Sequence, residues 1–307
     1  MADTAGEQDI RGIDIDKLAK GFADLEPNPL KAYVTNSKTK AREIRWYQKT
    51  AGFLDTTDTT GITLSQMQTD QLALPTVQEQ SWTRQTSYVK KFFIESPTIS
   101  MEDIKDSDPD VLGTNIRDLV RGVKRQVGLR IYFMLANCAP ATPTTPLTDT
   151  STYGAVQTSA STDEWDQSAT MDPVTDILHG EQSIRAQGYE TRGGVIGMNS
   201  IEYQYLLAYL INTKGSSIPN FSSEKIKSGV LMELLGWKVV VDEIFTTDWV
   251  VQWVPNRAVT WKSFMPITTA IMDEPGIGKK IRIWEEGEAI LTDRLAVHVI
   301  SNTGVSS

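Results

Sequence analysis

The sequence contains few of the residues on which catalysis and metal binding usually depend. Its 307 residues include one cysteine, Cys138, and two histidines, His179 and His298. A single cysteine excludes an intrachain disulfide and therefore a secreted disulfide scaffold. The two histidines are far apart in the sequence and match no metal-ligand spacing, so both are interpreted as structural. Acid–base catalysis near neutral pH relies most often on histidine, so its scarcity argues against an enzyme.

Targeting signals and catalytic motifs are missing as well. The start, MADTAGEQDIRG, has neither the basic residues nor the apolar core of a signal peptide, and no apolar run approaches a membrane span. We therefore expect a protein of the reducing cytoplasm that does not contact a membrane. A nucleophile elbow, a dinucleotide fingerprint and an HExxH helix are all absent. The sequence thus predicts no catalytic residue, no cofactor and no metal.

The composition is that of a folded chain with a net negative charge. Hydrophobic residues make up 40% and charged residues 22%, and eight tryptophans supply large surfaces for burial. The formal net charge of −9 argues against tight, sequence-independent binding of nucleic acid by the protein as a whole. A local basic face remains compatible with that charge.

The first third of the sequence is too polar to form a core of its own. Residues 1–65 are interpreted as an arm with one helix, which Asn36 or Ser37 caps and Gly52 ends. Residues 66–97 combine polar residues with scattered strand formers and predict an extended hairpin that projects from the body. Both segments are typical of parts that dock on another surface, although a flexible tail would explain the arm equally well.

Helical periodicity is strongest in the segment that follows. Apolar residues recur at steps of three and four between 110 and 135, which predicts a long helix with one buried stripe. A loop rich in Ser, Thr and Pro covers about 139–162. Asp172 then caps a helix that starts at Pro173, and a strand leads to a second helix capped by Asn199. A further helix is predicted for about 223–235.

The remainder of the chain is rich in predicted strands. They cover 237–244, 250–254, 259–262, 267–273, 280–286 and 295–300, with a turn at Pro275-Gly276-Ile277-Gly278. Helices and strands occur in separate blocks, so the predicted fold class is α+β.

One charged pattern stands out on the long helix. Its basic residues are opposed by a single acidic residue, Asp118, and the spacing places at least three of them on one face. They are Arg117, Arg121, Lys124, Arg125 and Arg130. Pairing with acidic residues of the same or a neighbouring subunit is the favoured interpretation, and a face turned toward nucleic acid is the alternative.

This order of parts resembles the HK97-like fold of the major capsid proteins of tailed phages. Four stretches carry the resemblance: SPTISMEDIK through IYFML at 96–135, DPVTDILHG through INTKG at 172–215, LLGWKVVVDEIF through VTWKS at 234–263, and KKIRIWEEGEAIL through HVISN at 279–302. The resemblance covers nearly the whole chain. It lies in the order of the predicted helices, strands and loops and in their composition. No short invariant motif is involved.

The resemblance implies a division into the parts of a capsid subunit. These would be an N-terminal arm at 1–65, an extended loop at 66–97, a peripheral domain at 98–171 with its spine helix at 111–136, an axial domain at 172–264, and a return to the peripheral β-sheet at 265–307. Apolar residues of the arm and loop would lie against neighbouring subunits. They are Trp46, Tyr47, Trp82, Phe92 and Phe93.

The resemblance also implies partners and a location. The chain would assemble with itself into pentamers and hexamers that close an icosahedral shell around double-stranded DNA. That DNA would contact the inner face of the spine helix weakly and without sequence specificity, through Arg117, Arg121, Lys124 and Arg125. A separate scaffolding protein and a portal protein are implied, decoration proteins are left open, and assembly in the host cytoplasm would place the product in the virion.

Two alternatives remain open at the level of sequence. An encapsulin-type nanocompartment shell shares the fold but encloses protein cargo. A soluble α+β enzyme or binding protein built around 172–264 would require a deep pocket with perturbed ionisable groups.

Overall fold

The computed structural model describes residues 30–51, 81–106, 111–136, 156–167, 170–211 and 233–304. These residues form a mixture of helices and strands, which confirms the predicted α+β class. The helices are α1 (Met101–Asp106), α2 (Val111–Leu135), α3 (Pro173–Ala186) and α4 (Ser200–Tyr209), with 3-10 turns at Leu30–Tyr33 and Arg294–Ala296. None of the helices in the described ranges is long and apolar enough to cross a membrane.

Within the described ranges the strands fall into three sheets. They are β1 (Thr35–Lys38), β2 (Glu43–Ala51), β3 (Ser81–Tyr88), β4 (Lys90–Glu95), β5 (Ile99–Ser100), β6 (Gln157–Ala160), β7 (Val195–Met198), β8 (Glu233–Leu234), β9 (Trp237–Val241), β10 (Trp249–Trp253), β11 (Val259–Glu274), β12 (Gly278–Leu291) and β13 (Val297–Ser301). One sheet has the order β1-β11-β12-β4 with β5 added to β12, a second has the order β6-β13-β10-β7-β9-β8, and β2 pairs with β3 alone.

The long helix follows the predicted pattern closely. It spans 25 residues, and its stripe of apolar side chains at steps of three and four is buried. Within that stripe Val123, Val127, Ile131 and Met134 are each less than one tenth exposed.

The chain divides into two compact units. In the described ranges the first unit contains 92–106, 111–124 and 267–285, and the second contains the rest. The core of the first unit is a cluster of Ile99, Val123, Ile281 and Ile283. Its hairpin turn lies where the sequence predicts it, with Gly276 at a φ of 77°. Gly278 must be glycine, because a Cβ there would stand 2.0 Å from the carbonyl oxygen of Ile99.

The second unit is built on the six-stranded sheet. Strand β13 lies between β6, to which it is parallel, and β10, to which it is antiparallel. Helices α3 and α4 add Ile177, Ile184 and Leu206 to the buried cluster of this sheet, and Leu210, directly after α4, joins them. Large apolar side chains are therefore excluded from water, which is the main source of stability for such a unit.

Both predicted helix caps of this unit are confirmed. The Asp172 carboxylate accepts a hydrogen bond from the backbone N–H of Thr175, and Pro173 is the first residue of α3. The Asn199 side chain accepts from the N–H of Ile201 at the start of α4. Each cap satisfies a backbone donor that the helix itself leaves without a partner.

The predicted helix in the arm is wrong. The segment that Asn36 or Ser37 was expected to begin forms β1 and β2 instead. Ile44 and Tyr47, which a helix would place on one face, lie on opposite faces of β2, with Ile44 buried and Tyr47 exposed. The reason is tertiary pairing: β3 supplies hydrogen bonds along the whole of β2, and this outweighs local helix signals.

The predicted extended hairpin within 66–97 is corrected by the same pairing. Strand β3 pairs with β2 from the predicted arm rather than with a strand inside 66–97. The two strands therefore form one ribbon across the predicted boundary at 65 and 66. Residues 52–80 between them lie outside the described ranges.

Smaller corrections concern the end of the chain. The predicted strands 259–262 and 267–273 form one strand of 16 residues, β11. Strand β13, from the predicted return segment 265–307, pairs with β10 of the predicted axial domain 172–264 in the same sheet, and the division into domains stays a prediction. Most of the predicted helix at 223–235 and of the Ser/Thr-rich loop lies outside the described ranges, although Gln157–Ala160 of that loop forms β6.

Candidate inter-subunit surface

The ribbon of β2 and β3 has one face that the described residues of its own chain leave exposed. Register places Tyr47 opposite Arg84, and Glu43 opposite Tyr88. Because side chains alternate along a strand, residues 45 and 47 of β2 share this face with 82, 84 and 88 of β3. We call the five side chains the outer ribbon face: Arg45, Tyr47, Trp82, Arg84 and Tyr88.

The aromatic side chains of the outer ribbon face are exposed to an unusual degree. Relative exposure is 62% for Tyr47, 54% for Trp82 and 64% for Tyr88. Arg45 is also exposed and contacts Glu43, its Nε lying 2.6 Å from a carboxylate oxygen. The face therefore combines flat apolar rings with guanidinium groups, the residue types that are enriched at protein interfaces.

The opposite, inner ribbon face is bound to its own chain. Ile44, Trp46 and Gln48 are all buried, and Ile44 and Trp46 form a cluster with Ile290 of β12. The Nε1 of Trp46 and the Nε2 of Gln48 donate to the carbonyl oxygen of Leu291 at 2.9 and 2.7 Å. This face of β2 is therefore docked on the end of β12. Within the predicted hairpin, β4 also pairs with β12, so the expectation that the hairpin projects from the body is wrong for that strand.

Two ion pairs lie at the base of the ribbon. Glu286, whose side chain is only 8% exposed, is 3.5 Å from Arg42 and 3.9 Å from Lys91. Arg42 also lies over the ring of Phe264, 5.1 Å from its centre. A nearly buried carboxylate thus has two cations near it, one on the residue before β2 and one within β4.

A second carboxylate of β12 is buried beside the long helix. Arg130 of α2 donates to Glu288, with its Nε at 3.0 Å and its Nη2 also in contact. Burial raises the pKa of Glu288, while Arg130 and then Lys90 act in the opposite direction. Burial, followed by the charge of Arg130, lowers the pKa of Lys90. Removing one partner of such a pair leaves an uncompensated buried charge, so the pair fixes the helix against the strand.

Comparisons with known proteins identify the fold of the chain to which the outer ribbon face belongs. No family model matches the sequence, and no curated protein matches it. Solved structures do match along almost the whole chain. A structure from Mycobacterium phage Che8 is 15% identical with a TM-score of 0.62, and the match covers 92% of this chain and 95% of that one.

Two further structures extend the likeness. The capsid of the cyanophage P-SCSP1u is 9% identical with a TM-score of 0.64 and covers 94% of this chain and 92% of that one. A virus-like particle from Pyrococcus furiosus is 9% identical with a TM-score of 0.58 and covers 90% and 92%. The chain has the HK97-like fold. The resemblance inferred from the sequence is thereby confirmed at the level of fold.

Within the HK97-like fold the five predicted contact residues divide into two groups. Tyr47 and Trp82 belong to the outer ribbon face, and Phe93 of β4 is 49% exposed. Trp46 is covered by its own chain, and Phe92 packs against the core cluster of the first unit. Trp46 is therefore buried by its own chain and Phe92 is partly covered by it, and the contact role of the five residues remains a prediction.

The basic residues of the spine helix α2 also divide. Arg117, Lys124 and Arg125 are exposed, whereas Arg121 is partly covered and lies 4.0 Å from Asp118. Arg130 has its buried partner Glu288 in the same chain. Arg130 therefore pairs within its own subunit. Contact with DNA stays a prediction for Arg117, Arg121, Lys124 and Arg125.

Sequence reasoning missed the carboxylates that hold the ribbon and the helix. Glu285, Glu286 and Glu288 are nearly or fully buried within one strand of the HK97-like fold. Their signal was present in the stretch IWEEGEAIL, where three acidic residues interrupt an otherwise apolar strand. Buried acidic residues are rare unless they are paired, so this stretch predicts cationic partners elsewhere in the chain.

The described residues offer little for an enzymatic alternative. In these ranges no group of three or more His, Cys, Asp and Glu side chains is arranged to hold a metal ion. An open depression of about 470 Å³ lies against α3 and is lined by Leu178, Glu181, Gln182, Arg185 and Ala186. His298 is buried in β13, as its strand pattern predicts, and Cys138 lies outside the described ranges.

Proposed function

We propose that this chain is the shell subunit of a tailed virus, and that copies assemble as pentamers and hexamers into an icosahedral shell around double-stranded DNA. The observation that carries the proposal is the outer ribbon face on a chain with the HK97-like fold. A ribbon that is docked by one face and aromatic on the other is complete only when a second surface covers it. The role is structural, and the subunit contributes interfaces rather than catalysis.

The size of the face fits one part of a larger contact. Tyr47, Trp82 and Tyr88 are each more than half exposed, and aromatic side chains bury about 150–250 Å² each. The three rings therefore offer on the order of 300 Å², against roughly 800 Å² on each side of a standard interface. The outer ribbon face alone is therefore smaller than one side of a standard interface, and the rest of the contact would come from other surfaces of the subunit.

Charge supports a second copy of the chain as the partner of this face. The protein carries a net charge of −9, whereas the outer ribbon face presents Arg45 and Arg84 against one carboxylate, Glu43, which pairs with Arg45. A cationic face on an acidic protein is complementary to most of the surface of another copy. Scaffolding and portal proteins would act during assembly, the virion would be the final location, and Arg117, Arg121, Lys124 and Arg125 would contact packaged DNA weakly.

Assembly of the full-length chain tests the proposal. We expect electron microscopy and analytical ultracentrifugation of the purified protein to show rings of five and six subunits or closed shells. Expression with the scaffolding protein encoded beside it should increase the fraction of closed shells. A single monomeric or dimeric species under both conditions would contradict the proposal.

The contents of the shells separate a virus from a protein compartment. Solved structures at 9–15% identity show the fold of the shell and not its contents, so the contents must be examined directly. Particles recovered from the natural source should contain double-stranded DNA that resists nuclease until the shell is opened. Particles that contain a cargo protein and no DNA would assign the chain to a compartment instead.

A further inference from the structure

A buried histidine lies where helix α3 meets the six-stranded sheet. His298 is only 1% exposed, and its Nε2 lies 2.9 Å from the hydroxyl oxygen of Ser159 on β6. The other ring nitrogen, Nδ1, has no hydrogen-bond partner among the described residues. In a neutral imidazole that donates from Nε2, the unpartnered Nδ1 is only an acceptor without a donor, whereas a charged imidazole has two N–H donors that both require acceptors.

The backbone of α3 lies directly against this histidine. A Cβ on Gly180 would stand 2.9 Å from the Cδ2 of His298, so glycine is what permits the close approach. Gln252, the cross-strand neighbour of His298, donates its Nε2 to the carbonyl oxygen of Ile177 on α3 at 3.0 Å. The attachment of α3 to the sheet thus surrounds the imidazole with uncharged groups.

We propose that His298 is an acid-sensitive switch, and that protonation of its ring detaches helix α3 from strand β13. The detached helix would expose Ile177 and Ile184, which are both fully buried in the sheet cluster. Burying a charge without a partner is strongly unfavourable, so the folded unit responds to protonation by opening at the element that covers the ring.

No neighbouring charge offsets a proton on this ring. Strand β6 presents Gln157 and Ser159, strand β10 presents Gln252, and α3 presents Gly180 and His179. Among the described residues the only charged group that acts on His298 is His179, and its positive charge opposes a second one. A carboxylate beside the ring would have allowed the histidine to remain buried as a cation.

The expected pH range follows from burial. Burial, followed by the charge of His179, lowers the pKa of His298 from 6.5 to about 4. The detached or unfolded form takes up the proton first, so the attachment of α3 weakens as the pH falls from about 6.5 toward about 4. Over this range the equilibrium should shift toward the detached form on the order of a hundredfold.

Two measurements on the full-length chain test the switch. The sequence has only two histidines, so NMR of the ring protons resolves their titrations with His179→Gln as the assignment control. Hydrogen exchange of the peptide covering 173–186 is followed at pH 7, 5.5 and 4 and expressed as protection factors. We expect the protection of this peptide to fall on the order of a hundredfold in the natural protein and to stay constant in His298→Gln.

The proposal has clear contrary results. It is overturned if His298 titrates near 6.5 while α3 stays protected, or if His298→Gln loses protection as the natural protein does. If His298→Gln does not fold, the titration and exchange of the natural protein and of His179→Gln decide alone. In both proteins the loss of protection must then follow the His298 titration, and a loss at a different pH would refute the switch.

Discussion

The six-stranded sheet and the ribbon of β2 and β3 both contain large aromatic side chains. These side chains are buried in the sheet and exposed on one face of the ribbon. In the sheet Trp237 and Trp253 are fully buried, because helices and loops of the same chain cover it. In the ribbon Tyr47, Trp82 and Tyr88 remain more than half exposed, because only one face is docked. The presence of aromatic residues in a strand therefore does not show whether its side chains are covered. The burial of each face of the strand shows it. The aromatic side chains of the sheet are covered within one subunit, whereas those of the outer ribbon face are covered by another subunit only in the proposed assembly.

A matched pair of tryptophans gives the largest expected effect. Trp253→Ala removes a fully buried side chain whose Nε1 donates to the carbonyl oxygen of Tyr33 at 2.9 Å. It should lower the free energy of unfolding of the subunit by about 3–5 kcal/mol. Trp82→Ala removes a side chain that is 54% exposed, and it should change that free energy by no more than about 0.5 kcal/mol. Chemical denaturation followed by far-ultraviolet circular dichroism measures both.

Equal losses of unfolding free energy in Trp253→Ala and Trp82→Ala would contradict the difference between the sheet and the ribbon. A large loss in Trp82→Ala would show that the outer ribbon face contributes to the stability of its own subunit. The face would then be no surface reserved for a partner.

A smaller effect is expected at a buried carboxyl of the second unit. Glu202 is 1% exposed and accepts a hydrogen bond from the backbone N–H of Asp248 at 2.6 Å. Burial raises the pKa of Glu202, while the N–H of Asp248 opposes the rise. The folded chain therefore favours the neutral carboxyl, and this group destabilises the fold increasingly as the pH rises above its ordinary value of 4.5.

The substitution Glu202→Gln isolates that charge. Glutamine keeps an oxygen for the N–H of Asp248 and is uncharged at every pH. It should raise the free energy of unfolding on the order of 1 kcal/mol at pH 8 and have almost no effect at pH 4. Thermal unfolding at the two pH values measures the difference. A loss of stability at pH 8 would mean that the ionised carboxylate is itself stabilising.

Local signals in the sequence predicted the parts of the fold that depend on local physics. The stripe of α2, the caps at Asp172 and Asn199, and the turn at Gly276 all follow from spacing and side-chain chemistry within a few residues. Each was confirmed, because no distant partner competes with these interactions.

Pairing between distant residues explains what local signals could not predict. Strand β2 carries cap and spacing signals typical of a helix, and only its ladder with β3 makes it a strand. The sequence separation of 158 residues between Arg130 and Glu288 likewise hides their ion pair. Of the predicted contact residues, Trp46 and Phe92 look like Tyr47 and Phe93 in the sequence. The strand face and the neighbouring cluster decide which of them is covered.

The most direct test of the account compares assembly with and without the aromatic rings of the outer ribbon face. The triple variant Tyr47→Ser, Trp82→Ser and Tyr88→Ser is examined by sedimentation velocity and electron microscopy beside Ile277→Ser, a control whose side chain is 62% exposed at the β11–β12 turn. The account predicts that both variants fold as the natural subunit does, that the control forms shells, and that the triple variant remains unassembled. Shells of normal size from the triple variant, at the same protein concentration, would contradict it.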